Sequence, residues 1–225
     1  MSKLLLTEDL GKQLEMGICL LYKTPFIGKY KYGMDVPEGL MPRLTILNDF
    51  HPGIKHTGAN GSRYDFSDMN DKPLSAKTSK KDGMICPQVI GQPTKKKFCE
   101  YFKLPAESTN DEIREYILSN YRDMLIEYFS FTFDCPIVYY NKKGDKLMYI
   151  RTKKDIEWWD FEYQFTHIMK NKKWEESTTL KINKDGLVSI GEFQVHKHRN
   201  GIKFRFSFEN ILKLFPDNFD VLELK

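Results

Sequence analysis

Apolar residues in this chain follow helical spacing near the amino terminus and strand spacing through most of the second half. The stripe that predicts a helix over residues 5–22 consists of Leu10, Leu14, Ile18 and Leu21. Thr7 is the expected N-cap of this helix, because a threonine side chain can accept a hydrogen bond from the first turn. A longer helix is predicted from residue 108 or 109 to 129, where a Ser/Thr cap precedes apolar positions three or four residues apart.

After residue 136 the spacing changes to short runs, including PIVYYNK, KLMYIRTK and TTLKIN, which predict strands. A basic helix is expected from about Pro93, after the strand-like run MICPQVIG. Nearer the end, Asn200-Gly201 is a dipeptide that favours a two-residue type I′ turn between hairpin strands. The pattern therefore predicts a mixed α/β protein with a β-rich C-terminal half.

The most suggestive chemistry lies in residues 63–78, RYDFSDMNDKPLSAKT, which are predicted to form two short strands around the polar turn MNDKP. Side chains two residues apart on a strand leave the same face, so Ser75 and Lys77 should point together, with Asp65 folded beside them. A carboxylate beside a lysine is half of a magnesium-dependent phosphodiesterase site. A second acid is lacking here, and Glu15 gains interest for that reason, although an isolated glutamate on a helix is more simply a solvent-exposed residue.

The composition predicts a chain that folds independently and contains no membrane-spanning segment. At 225 residues and 40% hydrophobic content, the chain can bury one substantial core. The four cysteines form no CxxC pair and no secretory signal precedes them, so reduced thiols in a cytoplasmic protein are expected. No apolar run approaches the roughly 20 residues that span a bilayer.

The formal charge of +4 is modest, but the basic residues are clustered. The clusters are Lys80 and Lys81, Lys95 to Lys97, Lys170 to Lys173, and His196 to Arg199. A single cluster is usually a solvated lysine face, whereas four together favour a polyanion such as DNA. His51 and His56 lie in the run HPGIKHTGANGS, which is predicted to be a loop.

The predicted last hairpin offers groups that could read DNA. Gln194, His196 and His198 would share one face and reach base edges. The side chains that could contact phosphate or guanine are Lys197, Arg199, Lys203 and Arg205. Gln88 and Gln92 could read adenine edges or bond to backbone. An ordinary solvent-exposed hairpin remains an equally open interpretation.

Together these features resemble type II restriction endonucleases of the PD-(D/E)XK superfamily, in the branch where serine replaces the acid before X-K. The resemblance rests on the early helix with Glu15, the Asp65 hairpin, the basic and glutamine-bearing elements, and the stretch GEFQVHKHRNGIKFRF. Tyr64 departs from the PD pair, and Ser75-Ala76-Lys77 stands where the family has D/E-X-K. Residues 5–105 and 187–212 carry the likeness, while 106–186 align with nothing.

The resemblance implies a nuclease core of a mixed sheet flanked by helices, and a metal site for Mg²⁺. Asp65 would be the principal ligand and the Ala76 carbonyl a second ligand, while Lys77 would orient the attacking water and stabilise developing charge. In serine variants the missing carboxylate comes from a helix, so Glu15 is the first candidate and Glu100 the second. Asp68 and Asp71 are less suitable, because they lie in or near the turn.

The resemblance also implies cleavage of double-stranded DNA at a short palindrome, with 5′-phosphate and 3′-hydroxyl products, by a homodimer. The abundance of Lys, Asn, Ile, Tyr and Phe is similar to that of a family member that cuts an AT-rich site. Residues 1–225 would form one endonuclease domain, with catalytic elements in 1–105, elements of unassigned role in 106–186, and a DNA-reading hairpin and C-terminal helix in 187–225. The alternatives are a structure-selective or repair nuclease, and a non-catalytic DNA-binding protein in which Asp65 and Lys77 are a surface ion pair.

Overall fold

A computed structural model describes residues 7–28, 36, 37, 39–58, 62–80 and 83–225. Its helices are α1 (Thr7–Leu21), α2 (Leu40–Leu44), α3 (Leu47–Phe50), α4 (Lys95–Tyr101), α5 (Asn110–Phe133), α6 (Thr166–Met169) and α7 (Phe208–Leu214). Its strands are β1 (Lys55–His56), β2 (Phe66–Ser67), β3 (Pro73–Ser79), β4 (Met84–Ile85), β5 (Ile137–Asn141), β6 (Lys146–Thr152), β7 (Glu162–Phe165), β8 (Ser177–Asn183), β9 (Leu187–Val195), β10 (Ile202–Ser207) and β11 (Phe219–Glu223). Short 3₁₀ turns occupy Trp158–Asp160 and Pro216–Asn218.

The chain divides into two compact units. Unit 1 contains the described residues up to Gly83, together with Cys135–Lys153 and Phe219–Lys225. Its sheet has the order β1-β2-β3-β5-β6-β11, in which β3 and β5 are parallel and the other neighbours are antiparallel. Unit 1 therefore contains a sheet with both parallel and antiparallel pairs, and the β2–β3 hairpin is part of that sheet.

Helix α1 packs on this sheet because its apolar stripe meets the apolar face of β3. Leu10, Leu14 and Ile18 have no exposed surface and belong to one core cluster with Leu74 and Ala76. Burial of such a side chain stabilises a fold by about 1.5–3 kcal/mol, so this contact fixes the position of α1 on the strand. The Thr7 side chain, which was predicted to cap this helix, lies outside the described part of the chain. Residues 5 and 6 and Lys81 lie outside it as well.

Unit 2, consisting of Met84–Asp134 and Lys154–Asn218, holds an antiparallel sheet of order β4-β10-β9-β8-β7. Aromatic side chains of α5 pack against it. The Tyr128 and Phe204 rings stack with centroids 4.3 Å apart. Gly191 on β9 leaves room for Phe204, since a Cβ at Gly191 would lie 2.7 Å from Phe204 Cζ. Glycine at this position is therefore required by close packing.

The predicted mixed α/β class is confirmed, and strands β5 to β11 all lie after residue 136, in the part predicted to be β-rich. The long helix begins after Thr109, whose hydroxyl and Glu112 form the reciprocal capping box expected from a Ser/Thr cap. It continues to Phe133, one turn beyond the predicted end. The run MICPQVIG is a strand only over Met84–Ile85, so Gln88 and Gln92 lie in the turns after it.

The predicted type I′ turn at Asn200-Gly201 is wrong. Strands β9 and β10 pair from Val195 and Ile202, so a loop of six residues, 196–201, joins them. Long-range bonds hold this loop open: Asn200 Oδ1 accepts from Lys95 N at 3.3 Å, and Asn110 Nδ2 donates to the His196 carbonyl at 3.2 Å. His196 and His198 therefore do not share a strand face with Gln194.

The prediction of a single endonuclease domain stays a prediction. The four cysteines, all in the described part, form no disulfide. Among the described helices, none is both long and apolar enough to cross a bilayer.

Substitution of Gly191 by Ala should lower the free energy of unfolding by about 1–3 kcal/mol, because the new methyl group overpacks the core against Phe204. Gly201→Ala is the matched control in the same unit, since its Cβ would meet only the Pro93 carbonyl oxygen, at 3.7 Å. Urea unfolding of both variants should show a change within about 0.5 kcal/mol for Gly201→Ala. A decrease of about 1 kcal/mol or more at Gly201 would instead support the type I′ turn, which needs a left-handed φ there.

Candidate active site

The hairpin of β2 and β3 is short and is closed by an aspartate. Phe66 pairs with Leu74 and Ser67 with Pro73, as the turn chemistry between the two strands predicts. In the turn, Asp68 Oδ1 accepts from the backbone N–H groups of Asn70, at 2.8 Å, and Lys72, at 3.0 Å. Burial opposes ionisation of Asp68, but these bonds and nearby His51 outweigh it and lower the pKa of the carboxyl group. The Oδ1 atom of Asp68 is thus occupied by hydrogen bonds within the turn.

Asp65 stands just before β2 and reaches across to β3. Its Oδ2 accepts a hydrogen bond from the Ala76 N–H at 2.8 Å, and the same oxygen lies 3.5 Å from Lys77 Nζ. Only 22% of the Asp65 side chain and 13% of the Lys77 side chain are exposed. The structure therefore brings together the acid and the amine that the sequence placed on one hairpin, in a largely buried pair.

Glu15 lies on helix α1 of the same unit, with a partly buried side chain. Burial raises the pKa of the Glu15 carboxyl group. The charge of Asp65 raises this pKa further, whereas the charge of Lys77 lowers it. The geometric link between Glu15 and Asp65 runs through His56, whose Nε2 lies 3.1 Å from Glu15 Oε2, and through Gly58, where a Cβ would lie 3.1 Å from His56 Nε2 and 3.2 Å from Asp65 Cα. One turn further along α1, burial raises the pKa of the Cys19 thiol to about 12, with a smaller effect of the Glu15 charge, so this thiol remains protonated at neutral pH.

His51 lies in the bend after α3, as the sequence suggested, whereas His56 is not a loop residue. His56 ends strand β1 and has a fully buried side chain, whose Nε2 lies 3.1 Å from Glu15 Oε2. His51 is also buried, with Nε2 2.9 Å from the Tyr149 hydroxyl and Nδ1 3.6 Å from Asp68 Oδ2. The sequence signal for His56 was weak, because a strand of two residues is too short to show alternation.

The other candidate acids and Ser75 have different surroundings. Ser75 has no exposed surface, and its hydroxyl accepts a bond from the Cys135 thiol at 3.5 Å. Asp71 lies exposed in the turn, with a left-handed φ of 57°. Glu100 is exposed on α4 in unit 2. Glu15 is therefore the candidate second acid that lies in the same unit as Asp65 and is linked to it through His56 and Gly58.

The oxygen donors near Asp65 suit a hard cation. In an extended strand the N–H and C=O of one residue point to the same side, so the Ala76 carbonyl faces the edge to which its N–H bonds Asp65. In the described residues no group of three or more His, Cys, Asp or Glu side chains could hold a metal ion. Two carboxylates and a carbonyl nevertheless fit Mg²⁺, which commonly uses one or two carboxylates and keeps several waters.

Two of the candidate DNA-contacting residues, Lys197 and His198, line a groove beside the β9–β10 loop. Two of the basic clusters seen in the sequence meet here. The lining residues are Thr166, His167, Lys170, Lys172, Lys173, Glu175, Glu176, Ser177, Thr179, Lys197 and His198. Lys197 Nζ lies 3.7 Å from Glu175, while Lys170 and Lys172 are exposed. Phosphate groups could be bound along such a groove.

The remaining candidates lie on the strands or in the loop. Lys203 on β10 is opposite Gln194 on β9, and Arg205 forms an ion pair with Glu192. Arg199 is exposed in the loop. Since Arg205 already has a carboxylate partner, its guanidinium is less available to DNA than that of Arg199.

The sequence is similar to that of a known restriction enzyme. It is 51% identical over 218 residues to the protein named Type II restriction enzyme CviAII, from Paramecium bursaria Chlorella virus 1. The alignment covers 96% of this chain and 63% of the relative, so the chain spans less than two thirds of that protein's length. No protein-family model and no solved structure matches the chain. The likeness supports the resemblance to type II restriction endonucleases and does not test the PD-(D/E)XK assignment.

Proposed function

We propose that this chain is a magnesium-dependent type II restriction endonuclease that hydrolyses double-stranded DNA at a short palindrome. The observation that carries the proposal is the largely buried pair of Asp65 and Lys77 at one hairpin of a mixed sheet, with Glu15 of helix α1 linked to the same segment through His56. The name of the relative adds weight, because it belongs to a restriction enzyme 51% identical over 218 residues. The expected products are a 5′-phosphate and a 3′-hydroxyl.

The architecture of unit 1 supports a PD-(D/E)XK core. The β2–β3 hairpin is antiparallel, β3 continues into a parallel pairing with β5, and α1 covers one face. In this proposal Ser75 takes the place of the strand acid and Glu15 supplies the missing carboxylate. The active form is proposed to be a homodimer, because a two-fold symmetric protein matches a palindromic site, here taken as AT-rich.

Each residue of the proposed site has a chemical role. Asp65, Glu15 and the Ala76 carbonyl would hold Mg²⁺, which when bound would activate water and stabilise the charge of the pentavalent phosphate. Lys77, held 3.5 Å from Asp65 Oδ2, would orient the attacking water by a hydrogen bond. Its ammonium would also stabilise negative charge as it develops on the phosphoryl oxygens. The Ala76 N–H fixes the Asp65 carboxylate for this task.

Incubation of plasmid DNA with the protein and Mg²⁺ should produce discrete fragments, whose ends can be sequenced to give the site and the stagger. Asp65→Ala and Lys77→Ala should each reduce cleavage at least ~100-fold, because they remove a ligand and a charge-stabilising group. Both variants should still bind DNA in Ca²⁺, as measured by gel shift.

Asp71→Asn and Lys72→Ala are matched controls on the exposed turn of the same hairpin, and asparagine tolerates the left-handed φ at residue 71. Both should cleave like the wild type. A smear, or a preference for nicks, flaps or junctions, would indicate a structure-selective nuclease. Near-normal cleavage by Asp65→Ala or Lys77→Ala would refute the proposed site.

The second acid can be identified by comparing two glutamine variants. Glu15→Gln should reduce the Mg²⁺-dependent rate at least ~10-fold, because the amide keeps the shape of the side chain and loses its charge. Glu100→Gln should leave the rate near that of the wild type. Initial cleavage rates over a range of Mg²⁺ concentrations measure both effects. The reverse order would place the second ligand on α4.

The groove of unit 2 is proposed to bind DNA phosphates through Lys170 and Lys172. The double variant Lys170→Gln/Lys172→Gln should reduce the slope of log K against log salt by about 0.9 for each phosphate that the protein no longer neutralises. Lys213→Gln, at an exposed position of α7 in the same unit, is the control and should leave the slope unchanged. Fluorescence anisotropy with labelled duplex in Ca²⁺ gives the slopes. Equal slopes for the double variant and the wild type would exclude this groove from the DNA interface.

A further inference from the structure

His56 occupies an enclosed position beside the candidate metal site. Its side chain has no exposed surface. The Phe26 ring stacks on the imidazole with centroids 4.5 Å apart, and the Phe66 ring lies at 5.1 Å on a tilted plane. These rings restrict the imidazole to one plane, so its two nitrogens have fixed directions.

The partners of the two nitrogens determine the tautomer. The backbone N–H of Ile27 donates to Nδ1 at 2.8 Å, so Nδ1 must carry a lone pair. The proton of the neutral ring then lies on Nε2, which is 3.1 Å from Glu15 Oε2. His56 therefore donates a hydrogen bond to Glu15, and a backbone group in a distant part of the sequence enforces the direction of that bond.

The same short segment also holds Asp65. The backbone N–H groups of Thr57 and Gly58 donate to the Asp65 carbonyl at 2.8 and 3.0 Å. A Cβ on Gly58 would lie 3.1 Å from His56 Nε2 and 3.2 Å from Asp65 Cα, so only glycine passes here without displacing one of them. His56 and the backbone of Asp65 are thus held at a fixed spacing.

We propose that His56 is a positioning residue, which orients Glu15 so that the carboxylate can bind a divalent cation together with Asp65. The bond to Oε2 fixes the Glu15 rotamer and leaves the carboxylate its other oxygen, Oε1, for the cation. A neutral donor holds the carboxylate without cancelling its charge, whereas a lysine or arginine in this place would compete with the cation. Hydrogen bonds to ligand side chains commonly change metal affinity 10–100-fold. This inference rests on the proposed function, because it takes Glu15 as a ligand.

Two substitutions separate positioning from packing. His56→Gln keeps an amide N–H near the place of Nε2, whereas His56→Asn is shorter and cannot reach Glu15. Both remove the ring, so both weaken the aromatic packing to a similar degree. Thermal unfolding should therefore give similar midpoints for the two variants, and a difference between them in metal affinity reports the bond to Glu15.

The test is a titration with Mn²⁺, an oxygen-binding substitute for Mg²⁺, in which free Mn²⁺ is measured by electron paramagnetic resonance. His56→Gln should bind within about threefold of the wild type and His56→Asn about 10–100-fold more weakly. In a Glu15→Gln background, the two His56 variants should bind Mn²⁺ alike, because the effect acts through Glu15. Nitrogen-15 NMR of the wild type should show the Nε2-protonated ring.

Each contrary result has a distinct meaning. A wild type that cuts DNA, with equal Mn²⁺ affinities for His56→Asn and His56→Gln, would overturn the role of His56 and leave the proposed function standing. The same holds if the difference persists at full size in the Glu15→Gln background, or if the ring is protonated on Nδ1. A wild type that neither cuts DNA nor binds Mn²⁺ would refute the proposed function and this inference with it.

Discussion

The hydrogen bond from the Ala76 N–H to Asp65 Oδ2 is the constraint on which the candidate site depends. Strand β2 offers only Phe66 and Ser67 to the ladder with β3, and the chain turns away at residue 65. The carboxylate then takes the acceptor role that a backbone carbonyl would have on a longer strand. One bond thus ends the β2–β3 ladder, satisfies a backbone donor and fixes the acid beside Lys77.

The burial of Ser75 explains why a second acid would come from a helix. Ser75 has no exposed surface and bonds to the Cys135 thiol, and a carboxylate there would be costly to ionise without new partners. Helix α1 can supply an acid more easily, because its apolar stripe already binds it to β3 and leaves Glu15 at the edge of the contact. In this arrangement a serine on the strand and a glutamate on the helix are two consequences of one packing geometry.

The sequence predicted those parts of the site that depend on local signals. The turn MNDKP and the two-residue spacing of Ser75 and Lys77 were enough to place Asp65 beside Lys77, because a hairpin register follows from its turn. Glu15 was chosen only because the hairpin lacked an acid. His56 was missed, and the type I′ turn was wrong, because both depend on partners far along the chain: Ile27 and Glu15 for His56, and Lys95 for Asn200.

Two histidines five residues apart connect the segment 51–56 to other elements of unit 1. His51 bonds to the Tyr149 hydroxyl on β6 and lies 3.6 Å from Asp68 in the hairpin turn, and His56 joins Glu15 on α1 to the backbone of Ile27. Burial lowers the pKa of His51, which favours the neutral ring, while nearby Asp68 opposes this shift. A lysine or arginine in place of either histidine would add a permanent positive charge to a segment where Asp65 already faces Lys77. For the proposed cation site this difference matters, because a brace of imidazole groups holds the segment without a fixed cation that would compete for the carboxylates.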